Sequence, residues 1–262
     1  MKITSEARDS GVLDAKTLAR VEKSLTAEGY VVLEGVMPDA WVTATRELFA
    51  QQLATAYEHA VPRRGHGGLR APLRQPFLDP LIIEHPIVFQ VLQRVLGQRF
   101  YGCLPYGCNT AFPGSEAQNV HRDCGQLFPE VSTHVPPALI VVNIALDDFT
   151  VDNGATEIWP GSHRLPDTTQ HEIDYLRVES SRTEEYPSTR VEGSAGSVVV
   201  RDMRTWHRGM PNSTDDARTM LALVYYRQYF LPDDLASFPP GETDIEWDQL
   251  SDRAIDVYRL RP

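Results

Sequence analysis

The sequence predicts a mainly β protein with flanking helices, and two features of its apolar pattern carry that reading. Up to about residue 98, Leu, Val and Ile recur at helical spacing. From Phe100 onward the chain breaks into short β-rich runs divided by Gly, Pro, Asn and Asp. Such runs in succession fit a sandwich or barrel better than alternating βα units.

The elements follow in order. Leu13, Leu18, Val21 and Leu25 mark a first helix, and Gly29 stands where a left-handed C-cap would close it. Tyr30 to Glu34 is a short β-rich run ended by Gly35. Asp39 is placed to N-cap a second helix carrying Val42, Leu48, Phe49 and Leu53. Residues 61–76 hold Pro62, Gly65, Gly67, Gly68, Pro72 and Pro76 among four arginines, and a loop is expected there. A third helix spans about Ile87 to Leu96. Strands are expected over 138–146, 156–159, 197–201 and 218–230, with the polar residues 167–193 as a long excursion. The acidic tail 231–262 is expected to pack on the outside. There is no internal repeat, so one domain over 1–262 is expected: a helical part to about 98, a β core over about 99–230, and the tail.

Composition narrows the function classes. The 262 residues carry 25 Lys+Arg against 36 Asp+Glu, a net charge of −11, which argues against nucleic acid and anionic membrane as partners. No stretch approaches the roughly 20 apolar residues of a membrane span. The polar start Met1-Lys2-Ile3-Thr4 lacks a signal-peptide core, and Leu260-Arg261-Pro262 is no peroxisomal address. A cytoplasmic protein with a small-molecule substrate is the expectation, and its oligomeric state is open. Cys103, Cys108 and Cys124 are too few and too scattered for a disulfide framework or a zinc site.

One triplet points to chemistry. In His121-Arg122-Asp123 the imidazole and the carboxylate stand two residues apart, hence on one face of a strand. His207, after a strand-like run and before a turn, is the candidate third ligand. Two histidines and a carboxylate on one face of an octahedron leave three positions open, the arrangement of non-haem Fe(II) oxygenases. Eleven residues on is Arg218, and the turn-forming Pro211 to Asp216 between them suggest a hairpin that returns it to the site. A buried guanidinium holds a carboxylate through two parallel hydrogen bonds. Taken singly, each of these residues reads as an ion pair, a core histidine or a surface charge.

Together the motifs resemble the phytanoyl-CoA dioxygenase family of Fe(II)/2-oxoglutarate oxygenases. Gly29 to Val36 is similar to the family's opening strand, and His121-x-Asp123 to its metal motif. Asp152-Asn153-Gly154-Ala155-Thr156, followed by Pro160-Gly161-Ser162-His163-Arg164, is its most recognisable stretch, and Gly196 through His207 to Arg218 is similar to its distal block. The resemblance implies a double-stranded β-helix (jelly-roll, cupin-like) core. It makes His121, Asp123 and His207 the Fe(II) ligands and Arg218 the partner of the distal carboxylate of 2-oxoglutarate. Gln118, Thr156 and Asn109 match positions that bond the cosubstrate. It implies O2-dependent oxidation of an unactivated carbon of a small molecule, with hydroxylation ahead of desaturation, epoxidation or ring closure. The presence of Asp123 speaks against halogenation. His163 and Asn153 fall in a structural turn, and His59, His85, His134 and His171 lack partner spacing. Two expectations about the substrate follow: basic residues such as Arg64 and Arg70 form a lid for an anion or a solvated loop, and Leu127 and Phe128 form an apolar wall by the metal or part of the core. Two rival classes remain: a non-catalytic jelly-roll binding protein and a zinc hydrolase with the same ligands.

Overall fold

A computed structural model describes residues 1–128, 135–166, 176–230 and 249–258. In chain order these form α1 (Ser5–Ser10), α2 (Ala15–Glu28), β1 (Tyr30–Leu33), α3 (Asp39–Ala56), β2 (His66–Arg70), α4 (Pro80–Ile83) and α5 (Pro86–Leu96). Then come β3 (Phe100–Gly102), β4 (Gly107–Ala111), β5 (Leu139–Ala145), β6 (Glu157–Ile158), α6 (Ser180–Glu184) and β7 (Thr189–Arg190). The last are β8 (Val198–Asp202), β9 (His207–Arg208), β10 (Arg218–Arg227) and α7 (Asp252–Tyr258).

Local chemistry sets the helix ends. Asp14 accepts from the Thr17 N–H at 2.8 Å to start α2, and Gly29 closes it at φ 82°, where a side chain would be strained. Asp39 is not the cap of α3: it is the first helical residue, where its charge suits the helix dipole, and Pro38 holds the cap position without a side-chain bond.

All the strand pairs are antiparallel, in two facing sheets of a jelly roll. The large sheet has the order β1-β8-β5-β10-β4-β2, with β3 also on β10, and the small sheet has the order β7-β6-β9. Strand β10 is the spine of the large sheet. It meets β5 from Met220↔Ala145 to Tyr226↔Leu139, and β4 from Arg218↔Ala111 to Ala222↔Gly107.

The two-residue period of these strands divides the molecule. Ile140, Val142, Ile144, Val198, Val200, Leu221 and Leu223 point outward into one cluster with Val21, Leu25, Phe49, Phe89 and Leu92 of the helices. Each such side chain contributes roughly 1.5–3 kcal/mol on burial. Their alternates Val141, Asn143, Val199, Arg201, Met220, Ala222 and Val224 face the barrel interior. A second cluster of Val120, Trp159, Val178 and Trp206 backs the small sheet beside the functional residues.

Three expectations change. Residues 61–76 are not simply a loop, because β2 pairs with β4 from His66↔Ala111 to Arg70↔Gly107. Of the 167–193 excursion, 167–175 lies outside the described residues, while β7 joins the small sheet through Glu157↔Arg190. Of the tail, 231–248 and 259–262 lie outside them too, but α7 does more than coat the surface. Its Tyr258 is buried, donates to the Ile83 carbonyl at 2.6 Å and meets the Tyr225 hydroxyl at 2.7 Å. Among the described residues no helix is long and apolar enough to cross a membrane.

Candidate metal centre

His121 and His207 come together through their backbones. The His121 N–H donates to the His207 carbonyl at 3.0 Å, and the His207 N–H returns to the His121 carbonyl at 2.9 Å. His121 therefore sits in an isolated bridge rather than in the strand its spacing suggested. Asp123 is fixed one step on, its N–H donating to the Met203 carbonyl at 2.9 Å. The imidazole rings lie 4.3 Å apart between centroids.

Each ring has its tautomer set by a carbonyl. His121 Nδ1 is 2.9 Å from the Asn119 oxygen and His207 Nδ1 is 3.1 Å from the Thr205 oxygen. A carbonyl only accepts, so each Nδ1 carries the proton and each Nε2 presents a lone pair. Those two Nε2 atoms stand 3.8 and 3.7 Å from Asp123 Oδ1 and Oδ2. One ligand atom from each residue lies within 4.8 Å of the others.

Protonation favours cation binding. Burial, then the Arg201 charge, pushes His207 down to about 3, so the ring is neutral. Burial works against the Asp123 charge, but the Arg201 guanidinium on Oδ2 holds this carboxyl well below the usual range. With His207 neutral, Arg201 is the charge that keeps Asp123 ionised. Two imidazole nitrogens and one carboxylate, with open space on one side, fit a divalent metal of the Fe(II) type.

The open side is a cavity of about 590 Å³, shared by His121, Asp123 and His207 with Arg218, Gln118, Thr156 and Asn109. Arg218 is buried at the start of β10. Its Nη2 donates to the Gly154 carbonyl at 2.7 Å, and its guanidinium lies 4.4 Å over the Phe149 ring. Nε has no partner, and no carboxylate pairs with the group among the described residues. Burial brings it down to about 10, so it stays charged at neutral pH. The arrangement fits an incoming carboxylate. The connection to His207 is not the expected hairpin, because β9 belongs to the small sheet and β10 to the large one. Residues 209–217 join the two sheets, so His207 and Arg218 stand on different sheets and line one cavity.

The weaker candidates divide. Gln118 Oε1 accepts from the Gly209 N–H at 2.9 Å, which orients its amide at the cavity wall. Thr156 and Asn109 line the cavity, and the structure gives neither side chain a hydrogen bond among the described residues. Leu127 and Phe128 do not form a wall by the metal. Leu127 lines a separate cavity with Cys124 and Phe230, and Phe128 is exposed. Arg63, Arg64, Arg70 and Arg74 do not line the metal cavity; Arg64 and Arg70 point to solvent. His163 is structural, with Nε2 3.2 Å from the Thr26 carbonyl, and Asn153 closes the 148–153 turn by donating to the Asp148 carbonyl at 2.6 Å. His85 caps α5, His59 is exposed, and His134 and His171 lie outside the described residues.

Sequence reasoning missed three cavity residues. Asn143 and Arg201 are inward positions of otherwise apolar strands, a polar break in phase with the interior that the alternation reveals. His66 stands on the unexpected strand β2, its Nε2 2.7 Å from the Glu116 carbonyl, which leaves Nδ1 as an acceptor.

Comparison with known proteins agrees with this geometry. The dioxygenase aneA of Aspergillus aculeatus is 31% identical over 194 residues, 70% of this chain and 60% of aneA. The iron/alpha-ketoglutarate-dependent dioxygenase ausO of Aspergillus calidoustus is 32% identical over 116 residues, 42% of this chain and 37% of ausO. The match thus spans less than two thirds of either relative. Among solved structures, the epimerase SnoN in complex with Fe3+, alpha ketoglutarate and nogalamycin RO superposes with a TM-score of 0.67. It is 22% identical, with 88% of this chain and 93% of SnoN covered, and shares the fold. The family model for phytanoyl-CoA dioxygenase (PhyH) matches residues 25–220, and the chain belongs to that family.

Proposed function

We propose that this protein is an Fe(II)- and 2-oxoglutarate-dependent oxygenase that oxidises a carbon of a small molecule in natural-product tailoring, with hydroxylation as the outcome. One observation carries the reading: His121, Asp123 and His207 open onto the same cavity as a buried arginine with no carboxylate partner among the described residues. A zinc hydrolase has no use for Arg218, and a lapsed binding protein gains nothing from burying its charge. The name of aneA supports a dioxygenase, and the name of ausO and the ligands of SnoN support the cofactors.

His121, Asp123 and His207 would hold the metal, and Arg218 would bind the distal carboxylate of the cosubstrate. Fe(II) held there would supply the reaction of O2 with 2-oxoglutarate and substrate, one oxygen atom ending in succinate as carbon dioxide leaves and the other on the hydroxylated carbon. The protein's part is orientation and exclusion of water. Gln118, Thr156 and Asn109 offer uncharged hydrogen-bonding groups beside the cosubstrate. The remaining lining of His66, Thr110, Val141, Met203 and Val224 suits an uncharged, oxygen-bearing molecule. We take residues 1–262 to act as one cytoplasmic oxygenase domain.

The test is succinate formation from 2-oxoglutarate in air. Release that requires Fe(II) and falls in Arg218→Ala supports the reading. Absence of succinate, or turnover of a substrate without O2, rejects it.

A further inference from the structure

A second arginine lies at the metal centre. Arg201 is buried on β8, inward like Val199, while Val198 and Val200 pack into the helix-side core. Its Nη2 donates to Asp123 Oδ2 at 2.6 Å. Its Nη1 is buried and has no partner among the described residues.

Holding Asp123 alone does not explain this geometry. One donor suffices for one carboxylate oxygen, and a buried N–H without an acceptor costs free energy that nothing in the ligand-free protein offsets. The two Nη atoms of a guanidinium are about 2.3 Å apart and form a rigid fork suited to paired oxygens. Nη1 shares its carbon with Nη2 and so stands within a few ångströms of the Asp123 carboxylate, on a side chain that lines the metal cavity. The charges agree. Among the described residues the cavity is lined by two guanidiniums, Arg201 and Arg218, and one carboxylate, Asp123.

We propose that Arg201 is a two-ended clamp, with Nη2 on the metal-binding carboxylate of Asp123 and Nη1 on a carboxylate oxygen at the keto-acid end of the cosubstrate. The inference rests on the oxygenase reading and adds a second fixed point to it: Arg218 takes the distal carboxylate, and Arg201 takes the end that meets the metal. Both cations are then engaged by the dianion, which leaves uncharged groups for the substrate.

The experiment is calorimetric binding to protein saturated with Mn(II), so that no turnover occurs, with metal occupancy followed by electron paramagnetic resonance. The probes are 2-oxoglutarate and oxalate, which presents the chelating end without a distal carboxylate. Arg201→Gln is expected to weaken both by roughly 10–100-fold at full metal occupancy, the range for a lost charge-assisted bond. Arg218→Ala is expected to weaken 2-oxoglutarate and to leave oxalate unchanged. Arg201→Lys keeps the charge but not the fork, and is expected to fall between wild type and Arg201→Gln; it carries the test if Arg201→Gln does not fold. Oxalate affinity within twofold of wild type in either folded Arg201 variant overturns the clamp. Failure of wild-type protein to bind 2-oxoglutarate beside the metal overturns the oxygenase reading instead.

Discussion

His207 is tied to His121 by a reciprocal pair of backbone hydrogen bonds of 2.9 and 3.0 Å, so the two imidazoles are held as one unit. Their separation does not depend on a ligand. Trp206, fully buried in the cluster with Val120 and Trp159, anchors the residue before His207. The site is therefore preorganised, and substitutions at it should divide into those that remove metal and those that remove cosubstrate.

The anion end should act independently of the metal. Arg218→Ala is expected to weaken 2-oxoglutarate roughly 10–100-fold with Mn(II) affinity unchanged. Arg218→Lys should restore part of the loss, because a point charge replaces a fork. Equal loss of metal and cosubstrate would contradict this separation.

Gly154 supports Arg218 through its carbonyl. At φ 85° a side chain is strained, and a Cβ would lie 2.6 Å from the Met210 carbonyl oxygen. Gly154→Ala is expected to cost at least about 1 kcal/mol of stability and to weaken 2-oxoglutarate with metal binding retained. Thermal unfolding together with binding of both ligands checks it. An unchanged melting temperature would count against the strain.

His85 should make stability depend on pH. Its Nδ1 accepts from the Ile87 N–H at 3.2 Å at the start of α5, and burial lowers its pKa from 6.5 to about 4. Above pH 6.5 the residue is neutral in folded and unfolded chains alike. From there down to about 4 the unfolded chain takes up a proton that the folded one refuses, so stability falls with pH by about 3 kcal/mol in total. His85→Asn keeps a capping acceptor and removes the titration. Denaturant unfolding between pH 7 and 4 should show a smaller loss in the variant. Parallel curves would contradict the assignment.

The basic loop should be dispensable. Arg64 and Arg70 are exposed and do not line the metal cavity. Succinate formation by the Arg64→Ala, Arg70→Ala double variant is expected to match wild type. A loss of turnover with intact 2-oxoglutarate binding would restore the lid.

Much of the site is legible in the sequence because its residue types are conspicuous where they stand. A His-x-Asp pair, a later histidine and an arginine beyond a polar turn read as one constellation before any coordinates. Arg201 escapes that reading, although it is the one charge in Val198-Val199-Val200-Arg201 and is in phase with the barrel interior. The route from His207 to Arg218 escapes it as well. Turn residues at 211–216 look the same in a hairpin and in a crossing between sheets, and the partner strands that decide are distant in sequence. Strand β2 was hidden by its glycines. Here they are a packing requirement, since a Cβ on Gly67 would stand 2.6 Å from Pro62 Cγ and 2.7 Å from the Tyr57 hydroxyl.

The central claim is that one metal and one keto acid meet on His121, Asp123 and His207. The most direct measurement is anaerobic addition of Fe(II) and 2-oxoglutarate while the visible charge-transfer band of the chelate is monitored. A band is expected in wild-type protein, with its loss in folded His207→Ala and a weaker band at matched ligand in Arg218→Ala. No band in wild-type protein, with zinc retained or with no metal bound, would contradict it.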